Sequence, residues 1–384
     1  MADMFLAPRY DEGTIADVLP GALTALGVPG LPDRLGLTAR LPEVRRVAVL
    51  LVDGMGWGQL PALARFGPAM ADTLAGRLGT AGFTTCGFPS TTPTSLVSLN
   101  TGAVPGAHGV LGFYSLVPGT EIVISHTQWR DDPDPARWQP VPPLYAAAGA
   151  AGVSTVVVSR PEFVGSGLTT VTSAGARYCP AVGVDEVAAG MLAALKDEPG
   201  PSLVYGYHPD LDKAGHNHGL TSPQWAQAAA EVDRLLAILV DGLPADAALV
   251  VTADHGQRDI PMHRRIDLHG DPALHDGVRH VAGEPRARYL HTVAGAADDL
   301  VAVWRARFGH AVWAGTRDEA VATGWYGPVG ADHAARIGDV VLVCRDDWAL
   351  LASRTDGPGI APMVAMHGSL TPVEMQIPLL VYRA

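Results

Sequence analysis

Asp53, Thr92, Asp212, His216, Asp254, His255 and His367 are the residues of this sequence whose types and settings suit metal-assisted phosphoryl transfer. Asp53 ends the apolar run Val47–Val52, and Asp254 and His255 close the run Ala248–Ala253. Carboxylates and imidazoles at the ends of buried strands are costly unless a cation neutralises them. Two divalent metal ions would do that, and would also stabilise the charge that develops on a transferring phosphoryl group.

Each piece alone has a plainer reading. Val52-Asp53-Gly54-Met55-Gly56 places a carboxylate after a strand, where glycines allow a sharp turn; a helix-capping Asp would look the same. Phe88-Pro89-Ser90-Thr91-Thr92-Pro93 reads as a helix start, with Thr92 as N-cap and Pro93 in the first helical position. A hydroxyl there lies at the positive end of the helix dipole, among free backbone N–H groups able to hold a phosphoryl oxygen. A metal would lower its pKa enough for attack at neutral pH. Ser90 and Thr91 are rival hydroxyls. Asp212 and His216 stand four apart, so one helical turn aims both at one ion. Such oxygen and nitrogen donors suit zinc and, less tightly, manganese. His208 and His218 read as bystanders. Successive strand residues face opposite ways, so Asp254 and His255 converge only if the chain turns at Gly256. His367, before Gly368, would alone read as structural.

Strands alternating with helices must position these groups. The patterns predict strands at 47–52, 121–126, 153–158, 202–207, 248–252 and 378–382. Helices are predicted near 58–78, 93–100, 141–151, 184–196 and 222–242. This alternation predicts an α/β fold, a mostly parallel sheet sandwiched by helices, with ligands gathering beyond the carboxyl ends of its strands. Residues 259–366 are richer in Arg, His and Gly and are read as a smaller α+β cap inserted into a catalytic core of 1–258 and 367–384. Its histidines (263, 269, 275, 280, 291 and 310) are read as surface residues.

The 384 residues suffice for one large domain with an insertion. With 39 acidic against 27 basic residues the formal charge is −12, against a broad electrostatic role on nucleic acid or an anionic membrane. Three Cys fit neither a disulfide framework nor a cysteine zinc site. The first residues show no basic and then apolar leader pattern, and no apolar run reaches the length of a membrane span. The expectation is a cytoplasmic protein.

In order and spacing the motifs resemble the alkaline phosphatase superfamily, and within it the type I phosphodiesterase/nucleotide pyrophosphatase family. They are Asp53-Gly54, Pro89-Ser90-Thr91-Thr92, Thr101-Gly102, His108-Gly109, Asp212 with Gly215-His216 and Gly219, Asp254-His255-Gly256, and His367-Gly368. The resemblance covers nearly the whole chain. It implies an alkaline-phosphatase-like core, with Thr92 as nucleophile. One metal ion would be held by Asp53, Thr92, Asp254 and His255, and the other by Asp212, His216 and His367; zinc is the expected ion and manganese the alternative. The implied activity is hydrolysis of a phosphodiester or pyrophosphate through a covalent phospho-threonine, on a small phosphodiester or nucleotide substrate. One position departs: the family's nucleotide pyrophosphatases carry Asn five residues after the His-Gly histidine, where this chain has Phe113. Phe113 and Tyr114, with Tyr205, are the expected substrate contacts, and Tyr205 and Tyr207 fit either base stacking or the core. A sulfatase would need Cys-x-Pro-x-Arg, which Cys86-Gly87-Phe88-Pro89 does not supply, and the related phosphoglycerate mutases are much longer. A phosphomonoesterase, a phosphonoacetate-type phosphonate hydrolase and a non-catalytic metal-binding protein are the alternative readings.

Overall fold

Strand Arg46–Val52 runs between Ser202–His208 and Ala247–Thr252 and pairs parallel with both. Val47 to Val52 and every residue of the two neighbours are buried. Helices cover both faces, so these strands read as unbroken apolar runs rather than as an alternation. The structure is a computed structural model that describes residues 5–197 and 199–384; residues 1–4, part of the stretch read for a leader, lie outside the described residues. Beyond Ser202–His208 come Ser154–Ser159 and then Arg177–Pro180, both parallel. On the other side Gln376–Arg383 runs antiparallel to Ala247–Thr252 and to the edge strand Thr80–Thr85. The expected α/β architecture, a mostly parallel sheet flanked by helices, is therefore present.

The helical patterns near 184–196 and 222–242 form Gly183–Asp197 and Pro223–Gly242. The latter opens on Ser222, whose hydroxyl accepts from the Trp225 N–H at 3.1 Å. The single helix expected over 58–78 is instead broken into Trp57–Gln59, Leu60–Leu63 and Pro68–Leu74. The buried carboxylate of Asp233 takes the N–H groups of Ala69 and Met70 at 3.3 and 2.6 Å, fixing a fresh helix start there.

A second, six-stranded sheet has the order Val312–Thr316, Val340–Cys344, Ala287–Thr292, Val278–Glu284, Tyr114–Leu116, Val123–Ser125. Four of its strands come from 259–366, and the other two from well before it. The strand expected over 121–126 thus belongs to this sheet, not to the parallel one, through the pairing of Tyr114 with Ser125 and with Gly283. Helix Ala297–Phe308 covers a separate core around Trp304, Leu290 and Leu342. The two sheets are tied by the fully buried pair Arg286–Glu374, with Nε to Oε1 at 2.7 Å and Nη2 to Oε2 at 2.8 Å.

Candidate metal centre

All the metal-site residues expected from the sequence meet at the carboxyl end of the parallel sheet. Asp53 follows the central strand, and its N–H donates to the His208 carbonyl at 3.0 Å, so pairing continues one residue past the strand end. Gly54 then turns with φ +72°; a Cβ there would lie 2.9 Å from Cβ and Oδ1 of Asp212, so only glycine lets the two segments approach this closely. After Thr252 the chain leaves the neighbouring strand. Oδ1 of Asp254 accepts from the N–H groups of Gly54 and His255, each at 3.0 Å, and this locks the carboxylate. Its Oδ2 stands 3.3 Å from His255 Nε2, and Asp53 Oδ1 stands 3.5 Å from the same nitrogen. Both oxygens are buried without a hydrogen-bond partner.

Helix Thr92–Thr101 brings the hydroxyl. Thr91 is its N-cap (φ −142°, ψ 147°), so Thr92 is the first helical residue and Pro93 the second, one step on from the expected assignment. Thr92 Oγ1 lies 3.1 Å from His255 Nε2. Of its rivals, Ser90 is already committed: it donates to the Ser369 carbonyl at 2.6 Å and accepts from the Gly368 N–H at 3.2 Å. Thr91 is buried with no partner for its hydroxyl. Ser95 donates to the Asp254 carbonyl at 2.7 Å and so fastens the helix to the Asp254 turn. The motif residues Thr101 and His108 do not reach the centre. Thr101 bonds back to the Val97 carbonyl, and His108, buried, pairs with Ser98 at 2.9 Å.

The third contribution is helix Asp210–His218, where the four-residue spacing sets His216 Nε2 3.2 Å from Asp212 Oδ2. His367 closes the group, 3.2 Å from His216 Nε2 and 3.9 Å from Asp212 Oδ1, its ring stacked on that of His255 with centroids 3.6 Å apart.

All three imidazoles are held alike. Nδ1 of His216, His255 and His367 faces the carbonyl of Ala365, Gly256 and Ser90 at 2.8, 3.3 and 2.9 Å. A carbonyl can only accept, so each Nδ1 carries a hydrogen and each Nε2 points into the centre, where a metal ion would take the place of any proton on it. Asp212, His216 and His367 form one group with donor atoms close enough for one ion, and Asp53, Asp212 and His255 form another.

The charges agree with a cation site. Burial, then the nearby carboxylates of Asp254 and Asp212, pushes the Asp53 carboxyl well above its usual range. Burial would also raise Asp212, but the charge and hydrogen bond of His216 outweigh it and hold Asp212 below the usual range. Burial, with His255 beside it, lowers His367. Imidazole Nε2 atoms directed inward and crowded, unpartnered carboxylate oxygens fit divalent metal ions.

Two cavities with no lining residue in common adjoin the centre. One is lined by Thr92, Tyr205, Tyr207, Phe163 and Tyr178, the other by His216, His367, Phe113, Tyr114 and Glu284. The expected contacts Tyr205, Phe113 and Tyr114 thus all face space beside the centre, though on different sides of it. Among the described residues neither cavity is lined by Lys or Arg.

Three further residues support the centre. The Tyr207 hydroxyl donates to Asp53 Oδ2, and Gln257 Nε2 donates to Asp212 Oδ1. Glu284, buried, accepts from the Phe113 N–H at 2.6 Å, and burial pushes its carboxyl up to about 8. Cations nearby would draw it down again. For Tyr207 and Gln257 a signal existed: they flank the strand ends that carry His208 and Asp254. Glu284 had none. Of the insertion histidines read as surface residues, His291 is buried.

The model of the type I phosphodiesterase / nucleotide pyrophosphatase family matches residues 47–370. A pyrophosphatase/phosphodiesterase of Schizosaccharomyces pombe is 26% identical over 190 residues, 47% of this chain; the match spans 39% of that relative's length. Among solved structures, murine ectonucleotide pyrophosphatase / phosphodiesterase 5 superposes with a TM-score of 0.68 at 18% identity, covering 88% of each chain. Phosphonoacetate hydrolase from Sinorhizobium meliloti, in complex with phosphonoformate, gives a TM-score of 0.69 at 23% identity over 89% of this chain and 91% of that one. At these identities the two structures speak for the fold. No helix among the described residues is long and apolar enough to cross a membrane.

Proposed function

This chain belongs to the type I phosphodiesterase / nucleotide pyrophosphatase family, and from that premise we propose that it hydrolyses a small phosphodiester or pyrophosphate through a covalent Thr92 intermediate. The observation that carries the reading is the convergence of three inward-facing imidazole nitrogens, three carboxylates and the Thr92 hydroxyl at one end of the sheet. Asp53, Thr92, Asp254 and His255 would hold one divalent ion, and Asp212, His216 and His367 the other; zinc suits this donor set, with manganese the alternative. Such ions would supply Lewis acidity, lowering the pKa of the Thr92 hydroxyl and neutralising charge on the phosphoryl oxygens.

Thr92 Oγ1, giving up its proton to water, attacks phosphorus; the bond to one ester or anhydride oxygen breaks, and that arm takes a proton from water and leaves as an alcohol, or as a phosphate from a pyrophosphate. The free N–H groups at the start of helix Thr92–Thr101 orient a phosphoryl oxygen. Water then cleaves the threonine ester, releases the phosphorylated remainder and restores the hydroxyl. Ser90, already bonded at both ends, supports the choice of Thr92 over that rival.

A diester is favoured over the alternatives by the two cavities. A diester has two arms to place, whereas a dianionic monoester or the carboxylate of a phosphonoacetate-type substrate calls for a cationic side chain. Neither cavity has one among its described lining residues. The three unpaired cysteines support a reducing, cytoplasmic setting. The test is the rate on bis(p-nitrophenyl) phosphate against p-nitrophenyl phosphate, for the metal-analysed protein and for Thr92→Ala. The diester should be preferred, and the variant should lose roughly 10³-fold or more in kcat with its metal largely retained. Near-full activity in Thr92→Ala would remove Thr92 from the mechanism, and a preference for the monoester would overturn the substrate class.

A further inference from the structure

Resting on that reading of a diester hydrolase, we infer that the cavity beside Thr92 binds an uncharged hydrocarbon arm, aliphatic or aromatic, and rejects a nucleoside. In-line displacement sets the leaving oxygen opposite Thr92 Oγ1. The cavity that Thr92 itself lines therefore receives the arm that stays on phosphorus, and the product is a hydrocarbon monophosphate. The walls offer that arm no charge: among the described lining residues there is no Asp, Glu, Lys, Arg or His. Leu96, one helical turn after Thr92, puts an apolar side chain next to the nucleophile. Val157, Leu168 and Phe163 make up the rest of the apolar wall.

The buried polar side chains of the lining already have partners within the protein. Asn100 Nδ2 donates to the Leu96 carbonyl at 2.8 Å, and Asn100 Oδ1 accepts from the Tyr145 hydroxyl. The Tyr207 hydroxyl donates to Asp53, and Tyr205 is hydrogen-bonded to Asn100. Thr172 donates to the Leu168 carbonyl at 2.8 Å and Ser166 to Thr169 Oγ1 at 3.0 Å, while Ser159 pairs with Tyr178. The hydroxyls of Thr127, Thr169 and Ser173 belong to residues that keep solvent contact, so water serves them whichever arm is bound. A base or ribose entering this space gives up its water and finds no buried group waiting for it, whereas a hydrocarbon gives up nothing. The rings of Phe163 and Tyr207, edge to face with centroids 6.0 Å apart, pack as well against a benzyl ring as against a base. The polar edge of the base therefore decides against it.

The experiment follows p-nitrophenol release from p-nitrophenyl phosphodiesters whose second, retained arm is methyl, n-hexyl, benzyl or 5′-uridyl, on the wild-type holoenzyme and on Leu96→Gln. In the wild type, hexyl and benzyl should each exceed both methyl and uridyl by roughly 10-fold or more in kcat/KM. Leu96→Gln keeps the bulk and the helix propensity but makes the wall polar, and should lower the hexyl to methyl ratio several-fold, chiefly through KM. A merely structural role for Leu96 would lower all four rates together. A wild type that hydrolyses hexyl no faster than methyl, or uridyl within 10-fold of hexyl, overturns the inference and leaves the diester reading standing, even if Leu96→Gln does not fold. An unchanged hexyl to methyl ratio in a folded Leu96→Gln overturns it too, because the arm then lies outside this cavity. Failure to hydrolyse any of the four diesters sinks the diester reading, and this inference with it.

Discussion

The centre has two unlike halves. The inner half, Asp53, Asp254 and His255 beside Thr92, is buried at the ends of two parallel strands, with Asp254 and His255 fully shielded. It sets two carboxylates against one imidazole, and one oxygen of each carboxylate lacks a partner. The outer half, Asp212, His216 and His367, rides on a helix and a late loop and keeps some solvent contact. It sets one carboxylate against two imidazoles. The consequence appears in the acids: Asp53 is driven upward by burial and its fellow carboxylates, while His216 holds Asp212 down. The inner half sheds its excess negative charge only by keeping a proton on Asp53 or by taking up a cation, whereas the outer half partly balances itself. Burial is thus greatest where self-compensation is least.

Asp254→Asn should break the comparison most severely. Its retained Oδ1 still meets the Gly54 and His255 N–H groups, so the turn survives while the charge at Oδ2 is lost. We expect roughly 10³-fold or greater loss of kcat. The metal-free variant should nevertheless melt higher than metal-free wild type, by about 1 kcal/mol, because a crowded like charge has gone. His216→Ala should do less to turnover, on the order of 10²-fold, and should lower the stability of the metal-free protein by removing the partner of Asp212. Turnover under saturating metal and thermal melts with chelator test both. Melting shifts of the same sign in the two variants would show that the halves are not electrostatically different.

The inner half was also the more legible in sequence. Strands buried on both faces leave long apolar runs, so the positions of Asp53 and Asp254 could be read directly. The edge strand Thr80–Thr85 is only partly buried and carries Gly82, and Arg177–Pro180 is short and half-exposed, so neither announced itself. The run over 121–126 showed its strand character but not its sheet, because sheet membership there depends on a partner more than 150 residues away. Local patterns carry no such information. The supporting roles of Tyr207 and Gln257, despite their places beside the strand ends, and Glu284 altogether, escaped for the same reason: each works through a hydrogen bond to a residue distant in the chain, Asp53, Asp212 and Phe113. Thr92 was picked out by its family-like spacing, and the one-residue shift of its cap left its hydroxyl beside His255.

Tyr207→Phe should have the smallest effect and the most specific one. The Tyr207 hydroxyl donates to Asp53 Oδ2, leaving Oδ1 to face His255, so it acts on the inner half alone. It orients a carboxylate that is otherwise repelled by two others, and removing it costs one charge-assisted hydrogen bond without adding bulk. Losses of roughly 10-fold in metal affinity are usual for such supports. Metal titration of Tyr207→Phe should therefore weaken one of two equivalents by about that factor and leave the other near its wild-type affinity. If both equivalents weaken equally, the two halves share their ions more closely than their separate hydrogen-bond shells imply, and Asp212, which also lies close to Asp53 and His255, is the residue through which they would be coupled.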